Sequence, residues 1–189
     1  MTDFTTHTIE TAPEASRPFL EGAQAKMGMV PNIFANMAES PAMLEGYLSL
    51  AGIFGQTNLS EDERQIITMT NNRLNGCTYC MAAHTAISKG AGVDEGVLDS
   101  LRNNTPLADA KLEALRQFSI QMNESRGRVS QAQMQAMLDA GYTNETILEV
   151  VLGTALKVMS NYTNAVAGTS VDEAFSPFAW SDQSGQQAA

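Results

Sequence analysis

The sequence contains few of the residues that form disulfides, hold metals or bind nucleic acid. Its 189 residues include two cysteines, two histidines and one tryptophan. Basic residues number 11 against 21 acidic residues, so the net charge is −10 at pH 7. An acidic surface repels phosphate backbones, and we therefore expect no nucleic-acid partner. A secreted scaffold held by disulfides would carry more cysteines, spaced further apart, so the two cysteines indicate another role.

Proline and long apolar runs are also scarce. The chain has six prolines, and no apolar run approaches the ~20 residues that span a bilayer. Residues 1–10 lack the basic and apolar regions of a signal peptide. We therefore expect a cytoplasmic protein with no membrane partner. Few segments alternate apolar and polar residues, which disfavours strands and predicts an all-α fold.

Helix start and stop signals divide the chain into short helices. Ser60 with Glu63, and Ser130 with Gln133, have the capping-box pattern of a helix N-terminus. Apolar periodicity between breaks predicts helices over 13–27, 32–37, 41–56, 60–74, 77–89, 94–101, 107–125, 130–140 and 144–164. We expect one helical domain over 1–179, built from two loosely related halves. An extended arm is predicted at 1–11 and a disordered tail at 180–189.

The two cysteines form a C-x-x-C-x-x-x-H motif with a histidine. At 100° per residue, Cys80 lies about 300° round a helix from Cys77 and His84 about 700°, so all three share one face. Cys77 stands at the predicted helix N-terminus, where the helix dipole is expected to lower the pKa of its thiol. His84 is placed to take a proton from Cys80. Oxidation of one thiol is then resolved by the other to a disulfide.

Other roles for the cysteines are less well supported. Zinc usually needs four ligands, and the chain offers as N/S ligands only the motif and the distant His7. Covalent haem needs histidine directly after the second cysteine, where Met81 stands. Inert packing of both thiols is a further alternative. The motif favours a redox dithiol with no metal or cofactor.

A family resemblance is carried by residues between 58 and 93. These are Leu59, Ser60, Glu63, Arg64, Asn75, Gly76, Cys77, Tyr79, Cys80, Ala82, Ala83 and His84. The segment resembles the alkylhydroperoxidase D-like (AhpD-like) branch of the carboxymuconolactone decarboxylase family. A looser similarity covers 31–56, Lys157, 160–162, Asn164 and 172–175.

The resemblance implies an all-α AhpD-like bundle that assembles as a homo-oligomer, a trimer, hexamer or dimer. It also implies a thiol peroxidase that reduces hydrogen peroxide or small organic hydroperoxides. Cys80 corresponds to the cysteine that meets peroxide, Cys77 to the one that resolves it, and His84 to a member of the proton relay. A lipoyl group or a thioredoxin-like protein would re-reduce the disulfide, without a bound cofactor or metal.

The sequence departs from the family pattern at the relay glutamate. Twelve residues before the first cysteine stands Gln65, whose amide can orient a neighbour but cannot accept a proton at pH 7. The relay then consists of Cys80 and His84 alone, or is completed by water or by a carboxylate from the C-terminal half or another subunit. Asn161 and Tyr162 are also expected near the site.

Two rival functions stay open. The first is a non-catalytic redox sensor whose dithiol switches oligomer contacts, which the glutamine at the relay position favours. The second is a non-redox enzyme that resembles the family's lactone decarboxylase, whose members generally lack the cysteine pair.

Overall fold

The computed structural model describes residues 4–181, and this part of the chain contains nine α-helices, two 3-10 helices and no strand. The α-helices are α1 Arg17–Met27, α2 Asn32–Met37, α3 Pro41–Phe54, α4 Glu61–Leu74, α5 Thr78–Ala91, α6 Glu95–Asn103, α7 Ala110–Glu124, α8 Gln131–Asp139 and α9 Asn144–Ala167. The 3-10 helices are Glu14–Ser16 and Glu173–Phe178. The predicted all-α class is confirmed.

Side-chain caps define several of these helices. At the start of α4, Ser60 Oγ accepts from the backbone N–H of Glu63, and the Glu63 carboxylate accepts from the backbone N–H of Ser60. The second capping box, Ser130 with Gln133, opens α8 in the same way. Gly76 has a φ of 63° and separates α4 from α5, because this left-handed turn suits a residue without a Cβ.

The observed ends differ from the predicted ones by a few residues. The first predicted helix, 13–27, is a 3-10 turn followed by α1. Helix α7 begins at Ala110, since the Asp109 carboxylate accepts from two backbone N–H groups and caps it there. Trp180 donates its indole N–H to the backbone oxygen of Arg102 at 3.0 Å. The rest of the predicted tail, 182–189, lies outside the described residues.

Helix α4 lies at the centre and packs against α5, α7 and α9. Its approach to α9 is close at Gly153, where a Cβ would stand 2.7 Å from Ile67 Cγ2 and 2.9 Å from Phe54 Cε2. Because α9 is this close, Asn164, about three turns further along it, reaches the start of α5. The two cysteines lie there, in the smaller of two apolar clusters.

None of the helices within 4–181 is both long and apolar enough to cross a membrane.

Candidate dithiol active site

The cysteines lie at the first turn of α5, and both are free and buried. Cys77 is the N-cap residue, and its Sγ accepts a hydrogen bond from the backbone N–H of Cys80 at 3.3 Å. The exposed fraction is 6% for Cys77 and 2% for Cys80. This places the two sulfurs next to each other, as the helical spacing predicts.

Helix α9 supplies amide donors to the sulfurs. Asn164 Nδ2 lies 3.1 Å from Cys80 Sγ and 3.5 Å from Cys77 Sγ. Asn161 is buried and donates to Asn72 Oδ1 at 2.9 Å. Because both asparagines come from the C-terminal half, the site depends on the packing of α9 against α5.

The surroundings of Cys80 favour its thiolate. Burial of Cys80 is the largest single effect and raises its pKa, while a hydrogen bond from Cys77 and the positive charge of Lys157 act in the other direction. Hydrogen bonds from Asn161 and Asn164 add to them, and together they lower the pKa of Cys80 to about 6. A free cysteine has a pKa of roughly 8.5, so Cys80 is ionised at pH 7.

The expectation that helix position lowers the pKa of Cys77 is wrong. Its thiol is the hydrogen-bond donor to Cys80, burial disfavours its charge, and a thiolate on Cys80 would repel a second one. These effects raise the pKa of Cys77. The helix N-terminus is outweighed, because the charge sits on Cys80, where the cation Lys157 of α9 favours it.

That cation, Lys157, was not identified as a functional residue from the sequence. It is 1% exposed, and its Nζ lies 2.9 Å from His84 Nε2. A buried ammonium is costly unless it has polar partners or an opposite charge. The available signal was a single lysine between the apolar residues Leu156 and Val158 of a long helix, but nothing local shows what such a lysine contacts.

His84 is joined to α4 and α9 rather than to a sulfur. Its Nδ1 lies 2.8 Å from Gln65 Oε1, and its Nε2 contacts Lys157. No hydrogen bond links His84 to Cys77 or Cys80 within the described part of the chain. Burial and the charge of Lys157 lower the pKa of His84 well below its ordinary value of 6.5, so the imidazole is neutral at pH 7.

A carboxylate does complete this polar chain, but it comes from α4 itself. Gln65 Nε2 donates to Glu61 Oε1 at 2.8 Å. Glu61 lies one turn before Gln65, in the first turn of α4, where it also pairs with Arg64 at 2.9 Å. Neither the C-terminal half nor another subunit is needed to supply a carboxylate here.

A small cavity of about 60 Å³ opens beside the sulfur of Cys80. Its polar lining includes Cys80, His84 and Lys157, and aromatic rings of Phe34, Tyr47, Tyr79 and Phe175 form much of its apolar wall. The volume suits a few water-sized groups, so a small ligand fits better than a bulky one.

The C-terminal segment that contains Asp172 and Phe175 is held against this cavity by Tyr79, which lies between the two cysteines in the sequence. Tyr79 donates its hydroxyl to Asp172 Oδ2 at 2.6 Å, and Asp172 Oδ1 accepts from the backbone N–H of Asn32. The ring of Phe175 meets that of Tyr79 edge-on, with centroids 6.3 Å apart. Tyr79 therefore holds the wall of the site in place.

Two residues weighed from the sequence lie elsewhere. Tyr162 is 58% exposed and does not line the cavity beside Cys80. His7 Nε2 lies 2.8 Å from Glu39 Oε2, in a separate contact. Among residues 4–181 no group of three or more His, Cys, Asp or Glu side chains is placed to hold a metal ion.

Comparisons with known proteins agree with this architecture. An alkylhydroperoxidase AhpD-core structure, an uncharacterised peroxidase-related protein from Ralstonia eutropha JMP134, superposes with a TM-score of 0.81 at 22% identity, covering 91% of this chain and 93% of that one. A peroxidase-related protein from Silicibacter sp. TM1040 gives 0.79 at 21% identity, covering 92% of each chain.

A third similar structure is the debrominase Bmp8 in complex with 2,3,4-tribromopyrrole, with a TM-score of 0.78 at 18% identity, covering 94% of this chain and 96% of that one. No curated protein matches the sequence. Residues 41–119 match the carboxymuconolactone decarboxylase family, a range that includes α4, the cysteine pair and His84. In this segment the chain is similar to the carboxymuconolactone decarboxylase family, and as a whole it has the helical fold of the AhpD core.

Proposed function

We propose that the protein is a thiol-dependent peroxidase that reduces hydrogen peroxide or small organic hydroperoxides through a Cys77–Cys80 dithiol–disulfide cycle. One observation carries the proposal: Cys80 is held as a thiolate at a small cavity while Cys77, one turn away, keeps its proton. A thiolate is the nucleophile toward peroxide, and a neighbouring thiol is the group that resolves the product.

The cycle has two steps on the protein. The Cys80 thiolate attacks the terminal oxygen of the hydroperoxide, the O–O bond breaks, and Cys80 becomes a sulfenic acid while an alkoxide or hydroxide leaves. Cys77 then attacks the Cys80 sulfur, the S–S bond forms, and the sulfenic oxygen leaves as water. The shared contact with Asn164 supports this second step, because it holds both sulfurs together.

We assign His84 and Gln65 to the hydrogen-bonded network that supports proton transfer in this cycle. Their support is the hydrogen-bonded series that runs from Lys157 through both side chains to Glu61. Gln65 stands where the family resemblance places a glutamate, and its amide links His84 to the carboxylate of Glu61. No metal or bound cofactor enters the cycle.

A dithiol has to reopen the disulfide, and we propose a lipoyl group or a thioredoxin-like protein as the donor. This requirement favours a cytoplasmic setting, in which dithiol reductants are maintained. The homo-oligomer implied by the family resemblance stays a prediction, which the molar mass in solution tests.

The test is peroxide consumption by purified protein with dihydrolipoamide as reductant. We expect catalytic turnover with wild-type protein and none with Cys80→Ser. Cys77→Ser is the matched control: it keeps the Cys80 thiolate and, with the reductant left out, should consume one equivalent of peroxide before it stops at the sulfenic acid. Full turnover by Cys80→Ser would contradict the proposal.

The same preparation separates the rival functions. A redox sensor would oxidise once and change its molar mass without turnover. A lactone decarboxylase-like enzyme would act on a lactone with both cysteines changed to serine. Either result, in the absence of peroxide turnover, would replace the proposal.

A further inference from the structure

Each hydrogen bond around His84 has a donor and an acceptor. These can be assigned one bond at a time, starting from Glu61 at the protein surface. An ionised carboxylate accepts hydrogen bonds and donates none, so the group of Gln65 that faces Glu61 is its NH₂. The amide oxygen of Gln65 therefore faces His84, at 2.8 Å from Nδ1. The hydroxyl of Thr68 also lies 3.2 Å from this oxygen and can donate to it.

This orientation fixes the tautomer of the histidine. Because Gln65 Oε1 is an acceptor, Nδ1 of His84 carries the proton, and Nε2 of the neutral ring presents a lone pair. Lys157 Nζ lies 2.9 Å from Nε2, so the lysine is the donor, and its positive charge is the one that lowers the pKa of Cys80. The series Lys157, His84, Gln65, Glu61 thus runs donor to acceptor from the cavity to the protein surface.

These hydrogen bonds determine which group can give a proton at the cavity. His84 has its single ring proton on the side of Gln65, away from Lys157, and its other nitrogen is occupied. Of the residues that line the cavity, Lys157 is the one with a positive charge. Its ammonium has three protons, and the bond to His84 uses one of them.

We propose that Lys157, rather than His84, is the catalytic proton donor to the oxygen that leaves the peroxide, and that His84, Gln65 and Glu61 are positioning residues that hold the ammonium at the cavity. This inference rests on the proposed peroxidase function and names a residue that the family resemblance does not assign to the chemistry.

With Lys157 as the proton donor, every proton is accounted for over one catalytic cycle. In the first step, the Cys80 thiolate takes the terminal OH of the hydroperoxide, and the leaving alkoxide takes a proton from Lys157 to become an alcohol. The Cys77 thiol then returns a proton to the lysine amine as it attacks Cys80. The hydroxide that leaves takes a proton from Lys157 and becomes water. The dithiol reductant that reopens the disulfide supplies the proton that restores the ammonium.

Few titratable groups besides the cysteines face Lys157. Tyr47 comes from α3, Tyr79 and His84 from α5, and no acidic residue lines the cavity. Burial raises the pKa of both tyrosines well above the ordinary value of 10, so neither titrates in an assay below pH 10. Behind the wall, the carboxylate of Asp172 accepts a hydrogen bond from Tyr79.

The test compares oxidants whose leaving groups differ in basicity. Lys157→Met is made in a Cys77→Ser background, where oxidation stops at the sulfenic acid. Rate constants measured at pH 7 are divided by the fraction of Cys80 that is ionised in each protein, so that thiolates are compared with thiolates. With tert-butyl hydroperoxide, which releases a strongly basic alkoxide, we expect a loss of about 10²- to 10⁴-fold, the range of general acid catalysis. With peracetic acid, which releases a weakly basic carboxylate, we expect less than about tenfold.

An exposed lysine on α5 provides the control, since Lys89→Met should leave both rate constants unchanged. Equal losses with the two oxidants in Lys157→Met would overturn the inference, because a purely structural or charge effect does not depend on the leaving group. Absence of any oxidation in the parent protein would instead remove the proposed function itself.

The positioning residues are tested by the tautomer of His84. The chain has two histidines, so ¹⁵N-histidine labelling in a His7→Gln background reports His84 alone. We expect a neutral ring protonated on Nδ1 at pH 7, and a smaller Nδ1–H fraction in Glu61→Ala. An Nε2–H ring or an imidazolium in the parent would contradict the proposed direction of the series, and an unchanged tautomer in Glu61→Ala would remove Glu61 from it.

Discussion

Replacing Lys157 by methionine is predicted to raise the pKa of Cys80. Methionine keeps much of the length of the buried side chain and removes its charge, so the change acts on the thiolate more than on packing. Because the chain has two cysteines, a Cys77→Ser background leaves Cys80 as the single thiol. The serine hydroxyl can still donate a hydrogen bond to the sulfur.

The size of the effect follows from the charges around the sulfur. With Lys157 present, the pKa of Cys80 is about 6, so roughly nine-tenths of the thiol is ionised at pH 7. An opposite charge within ~4–6 Å changes a pKa by about 1 to 3. Without it, burial opposes the thiolate with only the hydrogen bonds as compensation. We expect the pKa of Cys80 in Lys157→Met between about 7 and 9.

The assay is the absorbance of the thiolate near 240 nm as a function of pH, checked by the pH midpoint of alkylation with iodoacetamide. The midpoint is the readout, because the rate at a single pH mixes two opposing effects. Fewer thiolates are present when the pKa rises, but each one is a stronger nucleophile.

Two results would refute this reasoning. A parent midpoint near that of a free thiol, roughly 8.5, would show that the site does not stabilise the thiolate. A parent midpoint near 6 that stays the same in Lys157→Met would show that the hydrogen bonds alone are responsible. Lys89→Met serves as the control and should not move the midpoint.

Three further changes test the framework of the site. Gly153→Ala should lower the free energy of unfolding by about 1–3 kcal/mol in chemical denaturation, because the added Cβ meets two apolar side chains of neighbouring helices below 3 Å. Asn164→Ala should raise the pKa of Cys80, measured by the same titration, because it removes a donor to the sulfur. Tyr79→Phe should lower the free energy of unfolding by about 1–3 kcal/mol at pH 7, because it leaves the buried carboxylate of Asp172 without its hydroxyl donor. Unchanged unfolding curves, or an unchanged midpoint, would contradict these assignments.

Much of the fold could be predicted because helix boundaries are set by residues close to them in the sequence. Both capping boxes form as the spacing of Ser60 with Glu63 and of Ser130 with Gln133 predicts. Gly76 separates α4 from α5 where the sequence places a break. The errors are at helix ends, where caps such as Asp109 compete with a longer apolar pattern.

The site was only partly predictable, because its electrostatics come from residues distant in sequence. Helical spacing brings Cys77 close to Cys80, but the charge that favours one thiolate is on Lys157, 77 positions after Cys80 along the chain. The same lysine occupies the histidine nitrogen that sequence spacing assigns to the sulfur. Which thiol ionises depends on how α9 crosses α5, and a single sequence does not contain that crossing.

The most direct test of the central claim is to oxidise the reduced protein with one equivalent of hydrogen peroxide and determine its thiols and intact mass. The account predicts loss of both thiols and of about two hydrogen masses in the wild-type protein. In Cys77→Ser it predicts a sulfenic acid that dimedone traps on Cys80. A protein that keeps both thiols, or in which oxygen is added first to Cys77, would contradict the account.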